Sequence, residues 1–297
     1  VAAPTATALP GVPPIKSAGF EPGQAIVTVL TGLPVQDLRG ERAQAIAALT
    51  DAPQATLAVV RQDVLQNLPS SPALSGLRVV APLFAEPVQA WVRVDSSVRR
   101  WRDVGAATVD IGRDRGDSQI ARSLPRDLFG APEWVNPSDH WRSLSDAQAL
   151  AALRRGDVDA VLRVRASPLT AEAQAAVARG TLRALTLDPG ESARVLGRYV
   201  STPAPGVRSL RTAGVMDFLV VQGGDGEARE RLAVDALRSL CAAHPALIAA
   251  AGSNWAMFRP DQTLPAGRPY AAASTSTATA CAAQVAGRPQ QAGKSPP

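Results

Sequence analysis

The chain of 297 residues is 46% hydrophobic, 19% charged and 4% aromatic, with a formal net charge of +5. This composition is typical of a globular protein with a large core, and it excludes a collagen-like chain, a small disulfide scaffold and wholesale disorder. No stretch approaches the roughly 18 uninterrupted apolar residues of a membrane span, and the arginines are too evenly mixed with acids to indicate a nucleic-acid-binding arm.

Short apolar runs alternate with helical patterns in the first half of the chain. We predict strands over residues 25–30, 56–60, 77–83, 88–94 and 108–111. We predict helices over residues 37–49 and 118–124, and a turn or short helix from residue 63.

The second half continues this alternation. A helix over residues 146–155 has Ser145 as a suitable N-cap residue and Gly156 at its end. The other predicted elements are strands over 158–164, 182–187 and 215–221 and helices over 170–179 and 228–243. Strands that alternate with helices of this length predict an α/β fold with mostly parallel sheets flanked by helices.

The two ends of the chain differ in composition from the rest. Residues 1–23 contain five prolines and are interpreted as a tether. Residues 263–297 are rich in Ala, Ser, Thr, Gly and Pro and are predicted to be largely disordered. No leader peptide is visible, so the sequence leaves open whether the chain starts natively or as a processed form.

The only two cysteines are Cys241 and Cys281. A disulfide between them would close a loop of about 40 residues, stabilise the fold by roughly 3–4 kcal/mol and imply an oxidising compartment. Two unpaired thiols are an equally good interpretation of the sequence. The spacing of cysteine and histidine residues indicates no metal site.

The loop after the predicted strand 108–111 is a candidate anion site. It contains Gly116, and Asp117 or Ser118 then opens a helix. The first N–H groups of a helix are unpaired and the helix dipole favours negative charge there. Arg113 and Arg115 could add bidentate contacts to a carboxylate. An ordinary strand–turn–helix with solvated arginines is the alternative.

Four short motifs occur in the order found in a known family. Residues 61–63 are Arg-Gln-Asp, residues 84–87 are Phe-Ala-Glu-Pro, residues 112–118 begin with Gly and end with Ser, and residues 155–160 are Arg-Gly-Asp-Val-Asp-Ala. These motifs resemble those of the TAXI family, the solute-binding subunits of TRAP transporters, which have the type II periplasmic-binding-protein fold. The resemblance covers about residues 25–250.

The resemblance implies two α/β lobes joined by two crossing strands, with a ligand between the lobes. The first lobe would comprise residues 24–92 and 215–262, and the second would comprise residues 93–214. The crossing strands would be 89–94 and 215–221. The residues that would face the ligand are Gln62, Asp63 and Glu86 on one side and Arg113, Arg115, Gly116, Asp117, Ser118 and Arg165 on the other.

Two arginines at the end of the predicted strand 158–164 have two possible roles. Arg163 and Arg165 are two residues apart and therefore share one face of the strand. They are interpreted either as a ligand clamp or as partners of Asp157 and Asp159.

The resemblance also implies a function. The protein would be periplasmic or otherwise extracytoplasmic and would capture a small anionic or zwitterionic solute, such as an amino acid or a dicarboxylate. It would deliver this solute to membrane permease subunits by closing its lobes. We expect a monomer with no catalytic residue, metal, cofactor or nucleic-acid partner. A degenerate binding-protein domain, used as a sensor or interaction module with a partly lost ligand site, is the alternative.

Overall fold

The protein is represented by a computed structural model. It describes residues 22–30, 32–113, 120–124, 140–165, 171–188, 190–191, 199–204, 207–251 and 281. Four candidate site residues, Arg115, Gly116, Asp117 and Ser118, lie outside the described residues, as do most of the predicted tether and tail.

The described chain alternates between helices and strands. The helices are α1 (Pro22–Val29), α2 (Arg42–Thr50), α3 (Gln62–Gln66), α4 (Asp146–Arg155), α5 (Ala171–Ala178) and α6 (Gly226–Ala251). The strands are β1 (Val35–Asp37), β2 (Thr56–Arg61), β3 (Arg78–Arg93), β4 (Val109–Asp110), β5 (Trp141–Arg142), β6 (Ala160–Val164), β7 (Leu182–Ala184), β8 (Val200–Ala204) and β9 (Val207–Gln222). Short 3-10 turns cover Pro72–Leu74 and Trp101–Ala106.

All of these strands belong to one sheet with the order β1-β2-β9-β3-β6-β4-β5, in which β7 also pairs with β3 and β8 with β9. The long strand β3 pairs with β9 up to Pro87, and from Val88 onward it pairs with β6 and then β7. The sheet therefore has two halves that share β3. We call the segment of β3 where the partner changes, residues 86–88, the junction.

Each half of the sheet has a hydrophobic cluster on both of its faces. In the first half, Leu219 lies in the cluster against α1 and α6, and Phe218 lies in the cluster against α2 and α3. In the second half, one cluster surrounds Trp101 and the other packs Trp91 beneath α4 and α5. Four separate clusters around one sheet explain why β3 and β9 are buried along most of their described length.

The α/β class with flanking helices is confirmed, but the sheet is mixed rather than mostly parallel. Among the described strands, three pairs are parallel (β1–β2, β4–β5 and β4–β6) and five are antiparallel. The physical reason is that β9 returns through the middle of the sheet and runs antiparallel to both β2 and β3.

Three predicted elements are wrong in type or extent. Residues 25–30 lie mainly in helix α1 rather than in a strand, because Ile26 and Leu30 are four residues apart and fill the cluster beneath α6. The predicted strands 77–83 and 88–94 are the single strand β3. It passes Pro82 through a shift in register with β9, so the proline does not end the strand.

The other elements agree in type with the sequence prediction, although several bounds differ. The predicted crossing strand 215–221 lies in the C-terminal half of the longer β9, and the predicted helix 228–243 lies within the longer α6. Residues 89–94, predicted as the other crossing strand, lie just beyond the junction, mostly within β3.

The structure decides whether the two cysteines are bonded or free. Cys241 on α6 and Cys281 are joined by a disulfide, with 5.7 Å between their Cα atoms. Both residues are buried in the cluster of α1 and α6. The bond therefore ties a residue of the predicted tail to the core of the first half. In the part of the chain that the structure describes, no helix is both long and apolar enough to cross a membrane.

Candidate functional site at the junction

The carboxyl ends of strands from both halves point toward the junction. Strand β2 ends at Arg61, opposite Asp217 of β9, and β6 ends at Val164, opposite Val88 of β3. Strand β1 runs parallel to β2, and β4 and β5 run parallel to β6 and to each other. Ligands of open α/β sheets bind beyond such carboxyl ends. The junction is therefore the candidate ligand-binding site.

A layer of charged residues separates two hydrophobic clusters at this place. On one face of β9, Leu219 lies in the cluster of the first half, Val215 lies in a cluster of the second half, and Asp217 lies between them. Arg61 stands opposite Asp217, and Glu86 stands opposite Val215. We call Arg61, Glu86 and Asp217 the charged layer; their exposed fractions are only 1%, 6% and 0%.

Arg39, which follows β1, covers the charged layer. One of its guanidinium nitrogens lies 2.7 Å from Oε1 of Glu86 and another lies 2.8 Å from Oδ2 of Asp37. The guanidinium also lies over the ring of Phe84, 5.7 Å from its centre. Burial opposes ionisation of Asp37, but the hydrogen bonds and charge of Arg39, together with the charge of Arg61, outweigh it and hold the pKa of Asp37 below its ordinary value.

Asp217 is the carboxylate of this layer with the most unfavourable surroundings. Burial raises its pKa well above the ordinary value, and the negative charge of Glu86 raises it further. Arg39 and Arg61 oppose this effect without reversing it. Neither carboxylate oxygen accepts a hydrogen bond from the described residues. Perturbed acids of this kind are concentrated at functional sites.

Gln62 and Asp63, which were predicted to face the ligand, begin α3 directly after Arg61. Oδ1 of Asp63 lies 3.4 Å from Nε of Arg61. The side-chain oxygens of Gln62 and Asp63 are buried and accept no hydrogen bond from the described part of the chain. The structure therefore places Gln62 and Asp63 at the start of α3, directly after β2, and Glu86 in the middle of β3. Their contact with a ligand stays a prediction.

The arginines of the second half form an ion-pair network. Nη2 of Arg163 lies 2.6 Å from Oδ2 of Asp110, and its Nε lies 2.9 Å from Oδ1 of Asp146. Arg165 lies 2.6 Å from the other oxygen of Asp146. Burial opposes ionisation of Asp146, but the hydrogen bonds and the charges of the two arginines together outweigh it and lower the pKa of Asp146. The network joins the ends of β4 and β6 to the first residue of α4.

The predicted acidic partners of these arginines are therefore wrong. Asp157 pairs with Arg155 at 2.7 Å, on the surface. Asp159 instead accepts a hydrogen bond of 2.9 Å from the backbone N–H of Thr108. The actual partners, Asp110 and Asp146, come from a neighbouring strand and a packed helix, so sequence spacing within the 158–164 segment did not reveal them.

Arg113 lies next to this network. It is exposed and donates a hydrogen bond of 2.9 Å to the side chain of Gln148 on α4. The turn before it uses Gly112 at a φ of 79°, and a Cβ atom there would lie 3.3 Å from the guanidinium of Arg163. The rest of the predicted anion loop lies outside the described residues.

The two sets of charges lie on opposite faces of β3. Glu86 is two residues from Val88 and shares its face, whereas Arg163 lies opposite Gln89, which shares the face of Trp91. The backbone connects them, because Arg165 N–H donates to the carbonyl of Pro87 at 3.2 Å. The structure thus brings the backbone of Arg165, just after β6, next to Pro87, the residue that follows Glu86 on β3.

Sequence reasoning missed several residues of this site: Asp37, Arg39, Arg61, Asp110, Asp146 and Asp217. Asp217 carried a usable signal, since it is the one charge in the apolar run 215–221. An isolated acid in a buried-strand pattern indicates either a register error or a functional group. The other five lie at strand or helix ends, where charged residues are common. In the described part of the chain, no group of three or more metal-ligating side chains is arranged to hold a metal ion.

No protein-family model matches this chain, and a search of curated proteins found no match. Among solved structures, it is similar to a TctC solute-binding protein from Polaromonas, with 16% identity over 82% of this chain and 80% of that chain and a TM-score of 0.44. It is also similar to MatC from Rhodopseudomonas palustris, solved with bound malate, with 16% identity, coverage of 93% and 95% and a TM-score of 0.46. For the periplasmic binding protein BugD, the identity is 12%, the coverage 91% and 93% and the TM-score 0.49.

Proposed function

We propose that the protein is an extracytoplasmic solute-binding protein of the TAXI type, which captures a small anionic or zwitterionic solute at the junction. It hands the solute, an amino acid or a dicarboxylate, to the permease subunits of a TRAP transporter. One observation carries the proposal: strand ends from both halves converge where a charged layer interrupts the hydrophobic core. Buried charges stabilise a fold poorly compared with apolar residues, so this layer favours a binding role.

The connection between the halves fits a hinge. Two long strands, β3 and β9, pass the junction side by side, and Gly214 of β9 lies opposite Pro87 of β3. Hinges in such proteins are a few residues that absorb a change of backbone angles while the lobes move as rigid bodies. We infer that residues 24–92 with 215–262 form one lobe and residues 93–214 the other.

The disulfide supports the proposed location. Bonds such as Cys241–Cys281 persist in oxidising compartments and are rare where glutathione and thioredoxin keep thiols reduced.

A thermal-shift screen tests the function. Purified protein is heated with amino acids and with dicarboxylates. The concentration of each compound is well above a micromolar dissociation constant. A ligand at 100 times its dissociation constant stabilises the folded state by about 2.7 kcal/mol, which raises the melting temperature by several degrees. Arg39→Gln should reduce the shift because Arg39 holds Glu86, whereas Arg155→Gln, which removes an exposed ion pair, should not. A panel without any shift in the wild-type protein contradicts the proposal.

The alternative is a degenerate sensor or interaction domain. The observation that favours it is that Arg39, Arg163 and Arg165 each already contact a carboxylate of the chain itself. An arginine occupied in this way offers less to an anionic ligand. The absence of a shift with every compound of the screen favours this alternative over transport.

A further inference from the structure

We propose that the solute at the junction carries a protonated amine, and that Asp63 and Asp217, the two carboxylates beside Arg61, accept its N–H groups. This inference rests on the proposed function and narrows its solute class. An amino acid has an ammonium group, whereas a dicarboxylate of the same carbon skeleton has none.

The first argument is the set of buried acceptors at this place. Both carboxylate oxygens of Asp217 and both of Asp63 are buried and accept no hydrogen bond from the described residues. Asp217 is completely inaccessible to solvent and stands opposite Arg61, and Asp63 lies 3.4 Å from Arg61. Leaving a buried acceptor unsatisfied is unfavourable, and more so when it is charged. A ligand that brings N–H donors removes this cost, and one that brings further carboxylate oxygens does not.

The second argument is the local charge. In the described residues, the charged layer and its contacts hold two guanidinium groups and four carboxylates: Arg39 and Arg61, and Asp37, Asp63, Glu86 and Asp217. The guanidinium of Arg39 is already within 2.8 Å of two of these acids. Even when Asp217 carries a proton, three carboxylates remain against two guanidinium groups, so the balance is acidic. A cationic group of the solute is attracted there and a second carboxylate is repelled.

The third argument is the protonation of Asp217. It faces Arg61 on β2, Glu86 on β3, and Arg39 and Asp37 after β1. Burial, followed by the charge of Glu86, raises the pKa of Asp217, and a nearby ammonium would lower it again. Binding of the amine should therefore release a proton, so the affinity should increase as the pH rises toward the raised pKa of Asp217 in the free protein.

Calorimetric titration of the full chain with matched pairs of compounds tests the inference. The pairs are L-aspartate and succinate, L-glutamate and glutarate, and L-alanine and propionate; the second member of each lacks only the amino group. We expect at least one amino acid to bind more than about tenfold tighter than its partner, and Asp217→Asn to weaken that binding by about tenfold or more. Asp157→Asn, which changes an exposed acid paired with Arg155, should leave it unchanged.

The possible outcomes distinguish a failure of this inference from a failure of the proposed function. If succinate or glutarate binds as tightly as the corresponding amino acid, the inference is overturned and solute binding is not. The same holds if Asp217→Asn binds the amino acid with the affinity of the wild-type protein. Failure of all six compounds to bind contradicts the proposed function itself. If Asp217→Asn does not fold, the pH series of the wild-type protein decides: an affinity that is constant or falls with rising pH overturns the inference.

Discussion

Arg61 of β2 and Asp217 of β9 are direct partners across the sheet, and both are almost completely buried. The next pair along the same face, Val59 and Leu219, belongs to a hydrophobic cluster. The charged pair thus stands where the core would otherwise continue toward Val215. Burial at this position, followed by the charge of Glu86, raises the pKa of Asp217 although the charge of Arg61 opposes it. The same interruption of the core marks the position of the candidate site.

The stability of the protein should depend on pH through Asp217. Because burial and then Glu86 raise its folded-state pKa, the folded protein retains a proton that the unfolded chain loses above about pH 3.9. Unfolding therefore releases a proton, and the free energy of unfolding falls as the pH rises toward the folded-state pKa. The Asp217→Asn variant has no ionisable group at this position, so its free energy of unfolding does not fall for this reason.

Urea denaturation of wild type and Asp217→Asn at several pH values measures this effect. We expect the variant to gain stability over the wild type progressively as the pH rises above about 4. The exposed substitution Asp157→Asn serves as the control and should show no such trend. A stability difference that is independent of pH would contradict a raised pKa of Asp217 in the folded protein.

The buried pair of Asp110 and Arg163 should be important for stability. Asp110→Ala removes one partner and leaves the buried guanidinium incompletely compensated, which typically costs about 3–5 kcal/mol. Asp157→Ala removes the partner of exposed Arg155 and should cost less than about 1 kcal/mol. Denaturant midpoints of the two variants provide the comparison, and equal losses would show that the network contributes little.

Gly223, just after β9, should not tolerate a side chain. Its φ is 77°, and a Cβ atom would meet the backbone carbonyl oxygen of Gln54 and lie 2.7 Å from that of Ala52. Gly223→Ala should therefore lower stability by about 1–3 kcal/mol or more. Gly40→Ala is the matched control, since a Cβ there has no atom within 4 Å. Melting temperatures of the two variants that are the same within error would refute the predicted clash.

The disulfide should contribute to stability through the 40 residues that separate its cysteines. Replacing Cys241 and Cys281 by serine should lower the free energy of unfolding by about 3–4 kcal/mol. Dithiothreitol should lower the melting temperature of the wild type and leave the double variant unaffected. A wild type that melts at the same temperature with and without reductant would argue against this contribution.

Local signals made part of the fold predictable from the sequence. Helix α4 was predicted with its observed bounds, because Ser145 and Gln148 form a capping box and Gly156 ends the helix in the left-handed conformation. Residues 25–30 were predicted as a strand because they are rich in β-branched residues. Their helical state depends on packing against α6, about 200 residues later in the chain, which no local pattern contains.

The same distinction applies to the candidate site. Gln62, Asp63 and Glu86 were chosen through motifs. The structure places the first two at the start of α3, directly after β2, and Glu86 in the middle of β3. Asp217 and Arg39 were missed because their roles arise from pairing between distant segments: Asp217 meets Arg61, and Arg39 reaches Glu86. Such pairings depend on the register of strands, which the sequence alone did not determine.

Hydrogen–deuterium exchange, with and without the compound that gives the largest thermal shift, tests the central claim most directly. The account predicts slower exchange at strand ends of both halves, in residues 36–41, 61–66 and 84–89 and in residues 160–165. Protection confined to one half, or found only in distant segments such as residues 232–243 of α6, would contradict binding at the junction.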